Sequence, residues 1–125
     1  AEKLPRRPRV VFTSSSHVYA VDSRQPVVAE TAPLAPRNAY GRTKLEAESL
    51  CLAAAAGGAD VVIVRSFSQA GPRQDPRLML AEWARQLLSD APSISVGNLH
   101  VGVDLLDVRD AVRALRALAL NGAAG

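Results

Sequence analysis

The chain has 125 residues, 48% of them hydrophobic and only 4% aromatic, and a formal net charge of +3, which suits one compact domain or part of a larger one. Its single cysteine, Cys51, excludes an internal disulfide, and its two isolated histidines exclude a metal-ligand cluster. No apolar run reaches the roughly 18 residues of a membrane span, and the small basic excess lacks the aromatic partners of a nucleic-acid site. We therefore expect a soluble, cytoplasmic protein that binds neither nucleic acid nor membrane.

The first half of the chain reads as strand, loop, helix and strand. A β-branched run at 9–14 predicts a buried strand that ends in hydroxyl side chains. Residues 20–39, rich in proline and polar residues, predict a long loop of the kind that is often functional. Residues 40–56 predict a helix closed by Gly57 and Gly58, and 60–65 predict a second buried strand.

The second half predicts two more helices and a short strand. Gly71 and Pro72 indicate a turn, after which a helix is expected from Pro76 to about Leu88. Residues 93–97 predict a short strand and 108–120 a third helix. The helix from Pro76 places Leu80, Trp83 and Leu87 on one face, and the third helix places Val108, Val112, Leu115 and Leu118 on one face. A stripe on another face of the third helix consists of Arg109, Arg113 and Arg116, of which we expect at least two to be solvated.

Alternating strands and helices predict a βαβ unit with a parallel, right-handed connection. The functional edge of such a unit is the one where the strands end. Hydroxyl-rich segments at 14–16 and 66–68 follow the two strong strands. We therefore expect both segments to line one crevice beside the helix at 40–56.

Two short segments, T-S-S-S-H-V-Y at 13–19 and Y-G-R-T-K at 40–44, together resemble the Ser/Tyr/Lys acid–base group of the extended short-chain dehydrogenase/reductase family. Reducing a ketone with a hydride leaves an alkoxide, so a proton donor must lie beside the carbonyl oxygen. Tyr40 suits that task because a nearby ammonium stabilises a phenolate, and Lys44, four residues later, lies on the same helix face. Ser15 supplies a second hydrogen bond to that oxygen. The Y-x-x-x-K spacing alone favours a half-buried tyrosine and a solvated lysine, whereas the serine segment and the downstream matches favour the acid–base role.

Four segments, in order, resemble the extended short-chain dehydrogenase/reductase family, in its NAD-dependent epimerase/dehydratase branch. They cover about residues 9–120: V-V-F-T-S-S-S-H-V-Y-A, E-T-A-P-L-A-P-R-N-A-Y-G-R-T-K-L-E-A-E, V-V-I-V-R-S-F-S-Q-A-G-P-R-Q and V-G-N-L-H-V-G-V-D-L-L-D-V-R-D-A-V-R-A-L. Within the family they are most similar to GDP-4-dehydro-6-deoxy-mannose reductases. The resemblance implies an α/β fold, a partial Rossmann-like domain with a doubly wound, mainly parallel sheet and the start of a small substrate-binding region.

The resemblance also assigns roles to individual residues. The catalytic set would be Ser15, Tyr40 and Lys44, with the lysine also holding the nicotinamide ribose. Cofactor contacts would come from Tyr40, Lys44, Ser14 and Phe67. Substrate contacts would come from Ser16, His17, Ser68, Arg73 and Asn98. For His17 a packed structural role, for Asn98 a turn role and for Arg73 a solvated loop position are the alternatives.

Several positions depart from the family pattern. Ser68 stands where an asparagine usually contacts substrate, Val103 where an arginine is common, and Ala20 where a glycine is frequent. Losing that arginine removes a bidentate phosphate partner, which puts the usual diphosphate pose in doubt. Ser16 and His17 replace the acid pair of the family's dehydratases, which argues for reduction or epimerisation rather than elimination of water.

The family's G-x-x-G-x-x-G loop, which receives the cofactor pyrophosphate, has no counterpart upstream in this sequence. We therefore expect residues 1–125 to be an internal fragment of one Rossmann-like domain, inactive alone, with substrate-contacting loops at about 66–76 and 93–106. The cofactor implied is NAD or NADP, since the residue that distinguishes them is not among those matched.

The function implied is reduction of the 4-keto group of a nucleotide-linked 6-deoxyhexose, with a GDP-sugar as the favoured substrate. A modest positive charge suits such an anionic ligand. The alternatives are a nucleotide-sugar 4-epimerase, a relative of the GDP-mannose 4,6-dehydratases, and a non-catalytic protein that binds a nucleotide or a partner. A homodimer through the Tyr40 helix and the Pro76 helix is the oligomer that the resemblance suggests.

Overall fold

The structure is a computed structural model that describes residues 8–20, 27–90 and 92–122. These residues form two compact units. The first contains the described residues up to Phe67 together with those from Val112 onward, and the second contains Ser68–Ala111.

The first unit is built on a parallel strand pair with a helix between its strands. β1 spans Arg9–Ser15, α1 spans Ala39–Ala56 and β2 spans Asp60–Ser66. β1 and β2 run parallel in continuous register from the Arg9–Asp60 pair to the Ser15–Ser66 pair. Their β-branched residues suit a buried pleated sheet, and the predicted βαβ unit is confirmed.

Arg9 ties the beginning of β1 to the end of the last helix, α3, which spans Val108–Asn121. Its Nε donates to Asp60 Oδ2 at 2.9 Å, and its Nη1 donates to the carbonyls of Leu118 at 3.1 Å and Gly122 at 2.6 Å. The last carbonyls of a helix have no partner inside the helix. Arg9 therefore caps the carboxyl end of α3 while it is held by its own strand neighbour.

The second unit contains two short strands and a helix. β3 spans Ser68–Ala70, β4 spans Leu105–Asp107, and the two are parallel partners. α2 spans Met79–Leu87. A Cβ atom at Gly71 would lie 2.3 Å from Cγ1 of Val108, so glycine is required where the end of β3 meets the first residue of α3. This strand pair is absent from the sequence prediction.

Two predictions in this unit are wrong. The helix expected from Pro76 begins at Met79, because the Asp75 carboxylate accepts the Arg77 N–H at 2.9 Å and the Asp75 carbonyl accepts the Leu78 N–H, which makes a turn. The expected strand at 93–97 does not form. There the side chain of Gln86 bonds both the N–H and the carbonyl of Ser95, which removes the need for a strand partner.

The predicted helix faces are correct only in part. Leu80, Trp83, Leu115 and Leu118 are half-buried as expected, but Leu87 is 68% exposed and Val112 58% exposed. The buried residue of α3 is Ala111 instead. The arginine stripe is exposed as predicted.

Candidate active site

The hydroxyl-rich ends of β1 and β2 lie side by side, because Ser15 and Ser66 are register partners. Ser15 is only 6% exposed, and its Oγ accepts the backbone N–H of His17 at 3.2 Å. This bond caps a 3₁₀ turn at Ser16–Val18. Since the oxygen is the acceptor, the hydroxyl hydrogen of Ser15 is left to donate.

The amino end of α1 is pressed against this turn. Asn38 is the N-cap, and its Oδ1 accepts the Gly41 N–H at 2.7 Å. A Cβ atom at Gly41 would lie 2.3 Å from the carbonyl oxygen of His17 and 2.9 Å from Cβ of Pro36. The glycine of Y-G-R-T-K is therefore what allows the helix to begin so close to the serine segment.

Tyr40 and Lys44 lie one turn apart at this end of α1, as predicted. Tyr40 is 54% exposed. The ammonium of Lys44 lies 5.8 Å from the centre of the Tyr40 ring and 5.1 Å from that of Phe12. It donates to the carbonyl of Thr13 at 2.9 Å, which uses one of its three hydrogens and leaves two for a ligand.

His17 connects the Ser16–Val18 turn, called here the serine turn, to Tyr40. Its ring meets the Tyr40 ring edge to face, with centres 5.7 Å apart. Its Nδ1 lies 2.9 Å from Nδ2 of Asn38. Because the Asn38 oxygen is bound to Gly41, the amide nitrogen is the donor and Nδ1 is the acceptor, which leaves the ring hydrogen on Nε2.

A cleft of about 270 Å³ opens beside these residues. It is lined by Ser16, His17, Tyr19, Arg37 and Asn38. The lining combines a guanidinium, an amide, an imidazole and hydroxyl groups, which are donors suited to a polar, anionic ligand. Sequence reasoning named only Ser16 and His17 among them.

Glu48 of α1 and Arg65 of β2 form an ion pair in which the carboxylate is buried and the guanidinium is 23% exposed. Glu48 is 1% exposed. Burial by itself raises the pKa of Glu48, but the hydrogen bond from Arg65, the nearby Ser14 hydroxyl and the Arg65 charge outweigh it and hold the pKa below its ordinary 4.5. The bonds to Glu48 in turn raise the pKa of Arg65, so both groups are charged.

Ser14, which the resemblance implies as a cofactor contact, lies near the end of β1 and faces α1. It is 3% exposed, and its hydroxyl faces the Glu48 carboxylate without a hydrogen bond of standard geometry among the described residues. The side chain is therefore enclosed between β1 and α1. Phe67 follows β2 and stacks on Tyr19, with ring centres 6.5 Å apart.

Three predicted substrate residues, Ser68, Arg73 and Asn98, belong to the second unit. Arg73 has a left-handed backbone, with φ of 65°, and with Arg85 it lines an open hollow of about 500 Å³. Asn98 makes a local turn in which its Oδ1 accepts the His100 N–H at 2.9 Å. Ser68 is exposed at the start of β3.

Sequence reasoning missed Asn38, Gly41, Glu48 and Arg65. Asn38 precedes a helix at the position where asparagine is a favoured cap, so the capping rule identifies it. Arg65 interrupts an apolar strand, and a charge there requires a partner. Nothing in the sequence indicates that this partner is Glu48.

Within the described ranges, no helix has the length and apolar character needed to cross a bilayer. The same residues contain no group of three or more His, Cys, Asp or Glu side chains arranged to hold a metal ion.

The first unit is thus a parallel α/β unit that presents a serine, a tyrosine and a lysine where its strands end. The chain belongs to the NAD dependent epimerase/dehydratase family, whose model matches residues 1–125. It is 36% identical over 123 residues to GDP-6-deoxy-D-mannose reductase of Pseudomonas aeruginosa, covering 92% of this chain and 40% of that protein.

Two solved structures show the same fold. A putative epimerase from Burkholderia cenocepacia superimposes with a TM-score of 0.87 at 36% identity, over 98% of this chain and 40% of that one. RMD from Pseudomonas aeruginosa, complexed with NADPH, superimposes with a TM-score of 0.84 at 34% identity, over 93% of this chain and 42% of that one. The chain is a partial Rossmann-like α/β domain and spans about 40% of the length of these relatives.

Proposed function

We propose that this chain carries the acid–base part of a nucleotide-sugar oxidoreductase that reduces the 4-keto group of a nucleotide-linked 6-deoxyhexose. The observation that carries the proposal is the placement of Tyr40 and Lys44 on one face of α1, beside the serine turn that Ser15 caps. The 36% identity to a GDP-6-deoxy-D-mannose reductase supports a GDP-linked substrate.

The residues present fit a nicotinamide cofactor, NAD or NADP, at Tyr40 and Lys44. The two ammonium hydrogens of Lys44 that Thr13 does not take suit the hydroxyls of a ribose. When bound, the nicotinamide supplies or accepts the hydride. Cofactor contacts from Ser14, whose hydroxyl is buried, and from Phe67 stay predictions.

In the proposed reaction the residues of this chain donate the proton and bind the carbonyl oxygen of the substrate. Tyr40 gives its phenolic proton to that oxygen, and the Lys44 ammonium stabilises the phenolate that remains. Ser15 donates its free hydroxyl hydrogen to the same oxygen and stabilises the charge that develops there. The edge-to-face contact with His17 restricts where the Tyr40 ring can point.

Substrate binding is proposed for the cleft that Ser16, His17 and Arg37 help to line. The Arg37 guanidinium and the Nε2 hydrogen of His17 suit a phosphate or a sugar hydroxyl. Roles for Ser68, Arg73 and Asn98 stay predictions, as does a homodimer through α1 and α2.

A 4-epimerase is the second candidate, and the likeness to a putative epimerase at a TM-score of 0.87 favours it. Both reactions use the same acid–base residues. They differ in net cofactor consumption. A reductase oxidises one reduced nicotinamide for each product molecule, whereas an epimerase regenerates the cofactor in each turnover.

The test is to incubate the full-length protein with NADPH or NADH and GDP-4-keto-6-deoxymannose, following nicotinamide absorbance and sugar products together. Stoichiometric oxidation of cofactor supports reduction. Interconversion of 4-epimers of a UDP- or GDP-hexose with no net cofactor change supports epimerisation. Absence of both with correctly folded protein contradicts the enzymatic proposal and favours a non-catalytic role.

A further inference from the structure

The Glu48–Arg65 ion pair joins α1, which carries Tyr40 and Lys44, to β2, and the proposed reaction gives it no task. Arg65 Nε donates to Oε1 and Oε2 of Glu48 at 3.0 and 3.2 Å, and its Nη2 donates to Oε2 at 2.8 Å. This forked geometry fixes both side chains in one orientation. A single surface ion pair would impose no such constraint.

The pair restrains the face of α1 that carries Tyr40 and Lys44. Glu48 follows Lys44 by four residues and Tyr40 by eight, so the three lie along one side of the helix. Anchoring Glu48 to β2 restricts rotation of α1 about its axis. Arg65 is the register partner of Ser14, which lies between Ser15 and the Thr13 carbonyl that accepts the Lys44 hydrogen.

The same guanidinium also holds the other side of the cleft. Its Nη1 donates to the Tyr19 hydroxyl at 3.2 Å and to the carbonyl of Glu30 at 3.0 Å, and it lies 5.0 Å from the centre of the Tyr19 ring. Tyr19 ends the 3₁₀ turn that carries His17 and is bridged to Leu34. One side chain therefore joins α1, β2, the serine turn and the segment that leads to Tyr40.

We propose that Glu48 and Arg65 are positioning residues that set the placement of Tyr40 and Lys44 relative to Ser15. This inference rests on the proposed function, because it names the residues that hold Tyr40, Lys44 and Ser15 in position relative to one another. Stability alone is a weak reason for the pair, since a buried ion pair can often be replaced by apolar side chains without loss of stability. A 1 Å displacement of a reacting group, in contrast, can cost about 100-fold in rate.

The test compares Glu48→Gln with Glu46→Gln, a change of the same kind at an exposed position of the same helix. In the full-length protein we expect Glu48→Gln to lower kcat at least about 10-fold per folded molecule, with KM changed much less, and Glu46→Gln to be neutral. Arg65→Lys keeps the positive charge but loses the forked hydrogen bonds to Glu48, so we expect its kcat also to fall below the wild-type value.

A double variant, Glu48→Leu with Arg65→Met, removes both charges and guards against loss of folding in the single variants. We expect it to fold and still to show the loss of kcat. Wild-type kcat per folded molecule in either Glu48 variant would mean that the pair serves stability only, and would overturn the proposal.

A readout independent of turnover separates this proposal from the proposed reaction. The ring resonance of isotope-labelled Tyr40, assigned through its loss in Tyr40→Phe, should move in Glu48→Gln and stay in place in Glu46→Gln. If the wild type reduces no keto sugar but the resonance moves, the reaction is wrong and the positioning role stands. An unmoved resonance in Glu48→Gln refutes positioning whether or not turnover is observed.

Discussion

Replacing Gly41 with alanine should lower both the free energy of unfolding and kcat. The added Cβ would lie 2.3 Å from the His17 carbonyl oxygen, with Cβ of Pro36 at 2.9 Å. A carbon–oxygen contact normally needs about 3.3 Å, so the amino end of α1 must withdraw by about 1 Å. Neither obstacle is the far end of a flexible side chain, so the helix has to move.

The expected magnitude follows from two opposing effects. Overpacking costs about 1–3 kcal/mol, whereas alanine gains up to about 1 kcal/mol over glycine in a helix. We expect a net loss of about 1–2 kcal/mol in the free energy of unfolding. Because Tyr40 adjoins Gly41, a 1 Å shift should also reduce kcat by up to about 100-fold.

Denaturant unfolding and steady-state kinetics of the full-length protein measure both effects. The control for stability is Gly97→Ala, where an added Cβ meets nothing within 4 Å, so the free energy of unfolding should stay unchanged. A Gly41→Ala protein with wild-type stability and wild-type kcat would refute the close approach of α1 to the His17 carbonyl.

Three further changes test other parts of the structure. Arg9→Met should lose about 2 kcal/mol of unfolding free energy, because the Gly122 carbonyl and the Asp60 carboxylate lose the Arg9 donor, whereas the Leu118 carbonyl keeps the Gly122 N–H; a change below about 0.5 kcal/mol by denaturant unfolding would contradict these bonds. Arg73→Gly should be about 1 kcal/mol more stable than Arg73→Ala, since only glycine adopts φ of 65° without strain; equal midpoints would argue against the left-handed turn. The stability lost in Glu48→Gln, about 3 kcal/mol near neutrality, should shrink as pH falls below 4.5, because a carboxyl with a lowered pKa stabilises the fold only while it is ionised; a difference that stays constant on acidification would contradict the ion pair.

The first unit follows closely from its sequence. Both strands are rich in β-branched residues, with Phe12 among them in β1, which is typical of parallel sheets. The helix α1 lies between Asn38 and Gly57, residues favoured at helix caps. These are local signals, and each element is long enough to carry them. The placement of Tyr40 beside Lys44 follows in turn from the helix period.

The second unit shows where local patterns are insufficient. β3 and β4 have three residues each and pair across 37 positions from Ser68 to Leu105, so no short window indicates their partnership. The apolar residues at 93–97 resemble a strand, but the Gln86 side chain takes both backbone groups of Ser95. The pairing of Glu48 with Arg65 is likewise a product of tertiary packing.

The central claim is that Tyr40 is the proton donor, and Tyr40→Phe tests it most directly because it removes one oxygen from a half-exposed ring. We predict that the full-length variant keeps wild-type stability and loses at least about 100-fold in kcat for reduction of GDP-4-keto-6-deoxymannose by NADPH. A Tyr40→Phe protein with wild-type kcat would contradict the account.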